Sequence, residues 1–190
     1  VRTVSSISAA VDMPVETILM KEFLLETRRG DPTSAIPLET RFLVRRGPDW
    51  VGHTYLWNSA GTDATLFGGG TATYVITEPD GATTPYTHFF PTEGDCLSCH
   101  SATAGGALGL RTVQMNRDFD YGGVVDNQIR AMNHVGLFGT TLPGAPATLP
   151  AMPHPMDATL AYENRARSYL EGNCAHCHHP GGPTGRRIDL

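Results

Sequence analysis

The four cysteines of this 190-residue chain fall into two copies of one motif, C-x-x-C-H, at residues 96–100 and 174–178. No cysteine lies outside these motifs. The pattern is typical of covalent c-type haem attachment, in which two thiols add to the porphyrin vinyl groups and the histidine becomes the proximal iron ligand. The sequence therefore predicts two haem c groups. The residues predicted to hold them are Cys96, Cys99 and His100 for the first, and Cys174, Cys177 and His178 for the second.

Three other chemistries also use paired cysteines. Zinc ribbons usually separate their C-x-x-C pairs by about 15–20 residues and need no histidine directly after a pair, whereas 74 residues lie between Cys99 and Cys174. A thioredoxin-like pair should follow a strand and precede a helix in a βαβ pattern, which neither motif shows clearly. A disulfide within one motif would close too short a loop to stabilise the fold much. Zinc is the principal alternative to haem.

The composition narrows the class of protein. With 40% hydrophobic and 17% charged residues, the chain suits one globular domain or two small ones and not a disordered tail. A net charge of −5 argues against nucleic acid as a partner, and without a run of about eighteen apolar residues we expect no transmembrane segment. The 21 glycines and 14 prolines indicate a loop-rich fold, in which two buried porphyrins would fill space that side chains leave.

The sequence pattern predicts an α+β fold with a β-rich N-terminal half, followed by a loop-rich, partly helical, cytochrome-c-like haem-binding half. We expect a β-rich domain over residues 1–90 and a dihaem cytochrome c domain over residues 91–190. Strand-like runs, rich in Val, Thr, Tyr and Trp, lie at residues 38–46, 50–58, 71–77 and 83–90. Because a Glu-Pro-Asp-Gly turn separates the last two, they predict a hairpin. Residues 14–27 fit either a short helix or a strand.

Two helices are predicted in the second half. Apolar residues at helical spacing indicate a helix within residues 124–138; they are Val125, Ile129, Met132 and Leu137. A proline-rich connector over residues 142–155 should be extended and follow the surface. We then expect Asp157 to cap a helix that continues to Glu171 and leads into the second motif. Its predicted apolar stripe is Tyr162, Ala166, Tyr169 and Leu170.

Several further stretches, together with the first motif, indicate a family. They are residues 38–41, 50–58, 62–64, 108–110, 114–116, 127–128 and 165–183. On these stretches the sequence resembles bacterial dihaem c-type cytochrome proteins, mostly conserved hypothetical proteins with two C-x-x-C-H motifs. The resemblance implies an exported haem protein with an electron-transfer role. Similar proteins carry, after the second motif, a Met-Pro segment that would supply a distal ligand; this sequence ends at Leu190, so we expect a partial or processed chain, or a ligand from elsewhere.

Each iron also needs a distal ligand or an open side. Met/His ligation raises the reduction potential, two histidines lower it, and an open side permits small-molecule chemistry. For the first haem we favour His134, with Met115 second, although a methionine at helical spacing also fits a core position. For the second haem, Met152 and His154 lie in a proline-stiffened segment that fits an ordinary linker equally well. His176, between two anchoring cysteines, could serve a neighbouring haem.

Arg165 and Arg167 precede the second motif on the predicted helix. A guanidinium offers a bidentate match to a carboxylate, so these two residues are candidates for binding haem propionates. The alternative, which we slightly favour, is solvated helix charge.

The leading functional hypothesis is an electron carrier, not an enzyme, which passes electrons between redox protein partners through two haems. The alternative is a dihaem peroxidase-like or oxidase-like enzyme with one open iron site. A third possibility is a homo-oligomer or filament in which stacked subunits form a chain of haems. Because covalent haem attachment takes place outside the bacterial cytoplasmic membrane, we expect a periplasmic or extracellular protein.

Overall fold

The computed structural model describes residues 13–102, 104–108, 110–139, 142–178 and 184, so Gly109 and residues 179–183 of the family-like stretches lie outside the described residues. Val15–Ser98 form one compact unit, and residues from Cys99 onward form another. The division thus lies inside the first C-x-x-C-H motif, whereas the sequence predicts a boundary between residues 90 and 91. Among the described residues, no helix is both long and apolar enough to cross a membrane.

The first unit contains a four-stranded antiparallel sheet with strand order β1-β2-β3-β4. Its strands are β1 (Ile18–Glu26), β2 (Ala35–Arg46), β3 (Asp49–Trp57) and β4 (Ala64–Phe67). The strand predicted over residues 38–46 is confirmed as part of β2, and the one over residues 50–58 is confirmed as β3 except that β3 ends at Trp57. The ambiguous segment over residues 14–27 contains a strand and not a helix, because its Ile, Met and Leu residues pair with β2 along nearly the whole of β1.

A β-hairpin forms the second sheet of this unit. Its strands are β5 (Gly70–Thr77) and β6 (Thr83–Phe90), which confirms the hairpin predicted from the Glu-Pro-Asp-Gly turn. The turn closes through a hydrogen bond from Glu78 N to Ala82 O at 2.8 Å. Gly81 has φ +85°, a left-handed conformation that glycine adopts without strain. The hairpin contributes the fully buried Phe90, whose ring meets Phe67 edge-on at 5.4 Å.

The second unit is dominated by short helices and loops. Residues 93–99 form α1, which ends at the first residue of this unit. The remaining elements are α2 (Thr112–Met115), β7 (Asp118–Asp120), β8 (Val125–Asn127), α3 (Gln128–His134) and α4 (Tyr162–Asn173). Strands β7 and β8 form a two-stranded antiparallel sheet. Antiparallel sheets in one part of the chain and most helices in the other agree with the α+β class.

A buried asparagine fastens the proline-rich connector to the second unit. Asn116 Nδ2 lies 2.9 Å from Pro146 O, 2.9 Å from Leu149 O and 3.2 Å from Pro150 O. Its Oδ1 accepts a hydrogen bond from Asn127 Nδ2 at 2.9 Å. Pro146–Thr148 form a 3-10 turn, so the connector is not uniformly extended as predicted.

The helix predicted within residues 124–138 is too long at both ends. Asn127 caps α3, because its side chain accepts hydrogen bonds from the backbone nitrogens of Ile129 and Arg130, and this leaves Val125 in β8. Gly136, with φ +74°, follows the C-terminal end. Of the predicted apolar face, Ile129 is buried, whereas Val125 and Leu137 are exposed.

The predicted start of the last helix is wrong. The Asp157 carboxylate accepts hydrogen bonds from the backbone nitrogen and hydroxyl of Thr159, at 3.0 and 2.6 Å, and forms a local turn instead of a helix cap. Helix α4 begins at Tyr162 and runs past Glu171 to Asn173. The predicted stripe is not its buried face: Tyr162 is 85% and Tyr169 60% exposed, while Ser168 is buried.

Candidate functional site

The first motif lies on α1 (Glu93–Cys99), the helix that follows the hairpin. A reciprocal cap begins this helix. Thr92 N donates to the Asp95 carboxylate at 2.9 Å, and Asp95 N donates to Thr92 Oγ1 at 3.2 Å. The hydrogen bonds from Thr92 hold the pKa of Asp95 below its usual value. The cap fixes the helical turns that carry Cys96 and Cys99.

Cys96 packs closely against strand β3. A Cβ atom at Gly52 would lie 2.8 Å from Cys96 Cβ and 3.0 Å from its Sγ, so only glycine leaves room for the cysteine there. Burial raises the pKa of the Cys96 thiol, with opposing effects from Arg41, which lowers it, and Glu39, which raises it. The thiol is therefore neutral near pH 7 and sits beside a charged pair.

His100, the last residue of the first motif, is oriented by the backbone that follows it. Its Nδ1 lies 2.7 Å from Gly106 O, and because a carbonyl oxygen can only accept, Nδ1 carries the proton. In the neutral ring the lone pair is then on Nε2. Metal-ligating histidines characteristically bond their other ring nitrogen in this way. His100 is therefore in the tautomer that an iron ligand requires.

The second motif continues directly from the end of α4. Cys174 N donates to Leu170 O at 2.7 Å, and Cys177 N and His178 N both donate to Cys174 O, at 3.0 and 2.9 Å. The Nδ1 atom of His178 is buried and has no hydrogen-bond partner among the described residues. An unpartnered buried nitrogen is costly, on the order of 1–3 kcal/mol, unless it binds a group. His178 therefore carries an unused donor or acceptor at the motif.

The two motifs meet in space although they are far apart in sequence. Cys99 Sγ, a ring nitrogen of His176 and Cys177 Sγ all lie within 4.8 Å of one another. Burial lowers the pKa of His176, and the neighbouring His100 and His178 lower it further. Burial also raises the pKa of the Cys177 thiol, and Cys99 adds to that increase. Residues of both predicted haem motifs therefore share one partly buried cluster of two thiols and one imidazole.

The residues present fit haem attachment. None of the four cysteines forms a disulfide, which would block thioether formation; the neutral His100 tautomer has its lone pair on Nε2, and His178 retains an unsatisfied Nδ1. The same cluster also resembles part of a zinc site, because two sulfurs and one imidazole nitrogen are typical zinc ligands. A tetrahedral zinc ion would need a fourth donor in addition to Cys99, His176 and Cys177.

The predicted distal ligands lie on three different segments. Met115 is buried at the end of α2, and His134 is exposed at the last residue of α3. Met152 is half-buried, with its backbone nitrogen 2.8 Å from Val113 O, whereas His154 is exposed. Among the described histidines, cysteines and acidic residues, the cluster of Cys99, His176 and Cys177 includes neither His134 nor His154.

The predicted propionate ligands are engaged by protein groups. Arg165 Nε donates to Pro155 O at 2.7 Å, and its guanidinium lies 5.4 Å from the centre of the Tyr162 ring. Arg167 pairs with Glu163 at 3.1 Å, with both side chains 75% exposed. This exposed pair, one turn apart on α4, has the character of solvated helix charge.

A cavity of about 310 Å³ lies between the connector and α4, and Met152 is part of its wall. Arg111, which forms an ion pair with Glu171, also lines it. Arg167 and Ser168 belong to the α4 side of the same cavity. Met152 thus faces the helix that carries the second motif, several residues before Cys174.

A buried charged cluster in the first unit was missed by sequence reasoning. Glu39, on β2, has a fully buried side chain that binds both Arg41 and His88. His88 belongs to the strand that precedes the first motif. The one local signal is an acidic residue in a strand otherwise rich in apolar residues, and this does not reveal which way the side chain points.

Comparisons with protein-family models, with curated proteins and with solved structures found no match for this chain. Its function is therefore inferred from its own residues.

Proposed function

We propose that this protein is a dihaem c-type cytochrome that transfers electrons between redox partners. The observation that carries the proposal is the meeting of the two motifs: Cys99 Sγ lies within 4.8 Å of His176 and of Cys177 Sγ. Electron transfer between two groups weakens steeply with distance, so an efficient carrier needs its centres close together. Two attachment motifs that share one cluster would meet that requirement.

The six motif residues have separate tasks in this proposal. Cys96 and Cys99 would anchor the first haem and His100 would ligate its iron, while Cys174, Cys177 and His178 would do the same for the second haem. When bound, the haems supply reversible one-electron chemistry. The chain itself fixes the His100 imidazole through Gly106 O and leaves all four cysteines only partly exposed.

The net charge and the covalent attachment of haem indicate the partners and the location of the proposed carrier. The polypeptide has a net charge of −5, and the propionates of two haems would add negative charge. We therefore expect redox partners that present a basic surface. Covalent attachment also implies export, so the proposed location is the periplasm or the cell exterior.

The proposal is tested by producing the chain in the periplasm of a bacterium that has a cytochrome c maturation system. We expect an intact mass that exceeds the polypeptide by two haems, and a reversible one-electron change at each haem in a redox titration. The double variant C96S/C99S should lose one haem and C174S/C177S the other. Ser98→Ala, inside the first motif but without attachment chemistry, is the matched control and should keep both. A polypeptide without covalent haem would refute the proposal.

A zinc site is the second candidate, and the same cluster favours it. Cys99, His176 and Cys177 offer two sulfurs and one nitrogen within 4.8 Å. The two candidates exclude each other at this cluster, because a thioether sulfur no longer serves as a zinc thiolate. His176→Ala separates them: it removes a zinc ligand and should abolish stoichiometric zinc measured by elemental analysis, but it leaves every haem-attachment residue in place.

A further inference from the structure

The buried charged cluster of the first unit consists of Glu39, Arg41 and His88. Arg41 donates two hydrogen bonds to the Glu39 carboxylate, at 2.5 Å from Nε and 2.9 Å from Nη2. His88 Nε2 lies 2.8 Å from Glu39 Oε2. The side chain of Glu39 is 0% exposed, that of His88 8% and that of Arg41 31%. Because a carboxylate can only accept, Nε2 of His88 carries the proton.

The other ring nitrogen of His88, Nδ1, is connected to solvent through an exposed tyrosine. His88 Nδ1 lies 3.1 Å from the hydroxyl of Tyr86, and Tyr86 is exposed. With Nε2 protonated, Nδ1 of the neutral ring accepts a hydrogen bond from that hydroxyl. If the ring gains a proton, Nδ1 becomes the donor and the hydroxyl becomes the acceptor. The hydrogen-bonded chain can therefore exchange a proton with water without rearrangement of the fold.

Charged and titratable groups face this cluster from several elements. Lys21 on β1 and Arg41 on β2 both lie over the Phe23 ring, at 4.8 and 4.2 Å from its centre. On β6 the neighbour is Tyr86. On α1 the relevant groups are Cys96 and Asp95, because Arg41, Glu39 and Asp95 all act on the Cys96 thiol. The rings of Phe23 and Phe90 also contact His88, with ring centroids 5.9 and 4.7 Å away.

A gain in folding stability does not explain why these three residues lie together. A buried ion pair recovers little more than the cost of taking its charges out of water, and apolar residues of similar volume often stabilise a fold as well or better. The cluster also occupies the middle of a sheet face where neighbouring positions are apolar, such as Leu43 and Phe90. Its position relative to the first motif offers a functional reason.

The cluster and Cys96 lie on the same face of the sheet. Arg41 pairs with Thr54 across β2 and β3, and two residues further along the ladder Leu43 pairs with Gly52. Side chains two residues apart on a strand point to the same face. Gly52 is the residue against which Cys96 packs. The electrostatic potential of Arg41 and Glu39 therefore reaches Cys96 Sγ, one of the two sulfurs through which the first haem would be attached.

We propose that the cluster of Glu39, Arg41 and His88 tunes the midpoint potential of the first haem and takes up a proton when that haem is reduced. This inference rests on the proposed function. If a one-electron donor protein reduced the iron of a haem attached at Cys96 from the ferric to the ferrous state, that haem would lose one positive charge. A proton from solvent would then bind Nδ1 of His88 by way of the Tyr86 hydroxyl. One electron and one proton would enter together, and both would leave on reoxidation.

The sign of the effect follows from linkage. A protonated His88 adds positive charge near the haem, and positive charge favours the reduced state because reduction removes one positive charge. The midpoint potential should therefore be highest at acidic pH, with His88 protonated, and fall as pH rises through the titration of His88. For the same reason Arg41→Gln should lower the potential and Glu39→Gln should raise it.

The test is a spectroelectrochemical titration of the full-length holoprotein over a series of pH values. In the natural sequence one of the two midpoint potentials should fall with rising pH, and His88→Phe should remove that dependence while keeping a ring between Phe23 and Phe90. His53→Phe is the matched control. It replaces a histidine of β3 that pairs with Phe42 on the opposite face of the sheet, and it should leave the pH dependence unchanged.

A second measurement does not depend on the variant folding. In NMR spectra of the natural holoprotein, His88 should stay protonated to a higher pH in the reduced state than in the oxidised state. Equal titration in both states, a pH-independent potential, or the same pH dependence in His88→Phe would refute the role of the cluster while two haems remain attached. A chain without covalent haem would overturn the proposed function and this inference together.

Discussion

Gly52→Ala is the substitution that most directly tests the packing of the first motif. The new Cβ would lie 2.8 Å from Cys96 Cβ and 3.0 Å from Sγ, closer than carbon and sulfur atoms approach without repulsion. Neither atom is the end of a long flexible side chain, so α1 or β3 must move. Overpacking of this kind costs about 1–3 kcal/mol. For a unit the size of Val15–Ser98, each kcal/mol lowers Tm by about 4–8 °C.

The assay has two readouts, thermal unfolding and intact mass of the periplasmic protein. We expect Gly52→Ala to lower Tm by at least about 4 °C and to reduce the occupancy of the first haem, because Cys96 is displaced while the second motif is untouched. Gly68→Ala is the control, since a Cβ at Gly68 would meet nothing within 4 Å. If Gly52→Ala matched Gly68→Ala in both Tm and haem content, the close contact at Cys96 would be refuted.

Two further predictions concern the second unit. Asn116→Ala should destabilise the protein by about 1–3 kcal/mol in chemical denaturation, because carbonyls that include Pro146 O and Leu149 O lose their donor; an unchanged midpoint would show that these bonds contribute nothing. Asp157→Ala should cost less than about 0.5 kcal/mol and leave the far-UV circular dichroism unchanged, because the residue forms a local turn with Thr159 and does not cap α4. A loss of about 1 kcal/mol with reduced helicity would restore its role as the cap.

Strands were easier to predict than helices in this chain, for a physical reason. The hairpin of β5 and β6 depends on a turn whose Pro79 and Gly81 impose the chain reversal locally. Asp157 instead has two local uses, a cap or a turn with Thr159, and the sequence is compatible with both. The apolar stripe beginning at Tyr162 is equally ambiguous, because helical spacing does not show whether other parts of the chain pack against that face of the helix.

The candidate site was also only partly predictable from the sequence. The identity of the anchoring residues follows from the two motifs alone, since the spacing of cysteine and histidine is local. The proximity of Cys99 to Cys177 does not, because it depends on how the intervening loops fold. The orientation of Glu39 was also beyond local pattern, since it is decided by the register of β2 with β3 and by the presence of His88 on another strand.

The hydrogen bonds between Asn116 and the connector affect the entropy of binding at Met152. A proline-rich segment held at Pro146, Leu149 and Pro150 by one buried amide, and at the Met152 backbone by Val113, has little conformational freedom left in the folded protein. The entropy of ordering this segment is therefore lost once, during folding, and not again when a group meets the Met152 thioether. A group that bound this thioether would therefore need little further ordering of the connector.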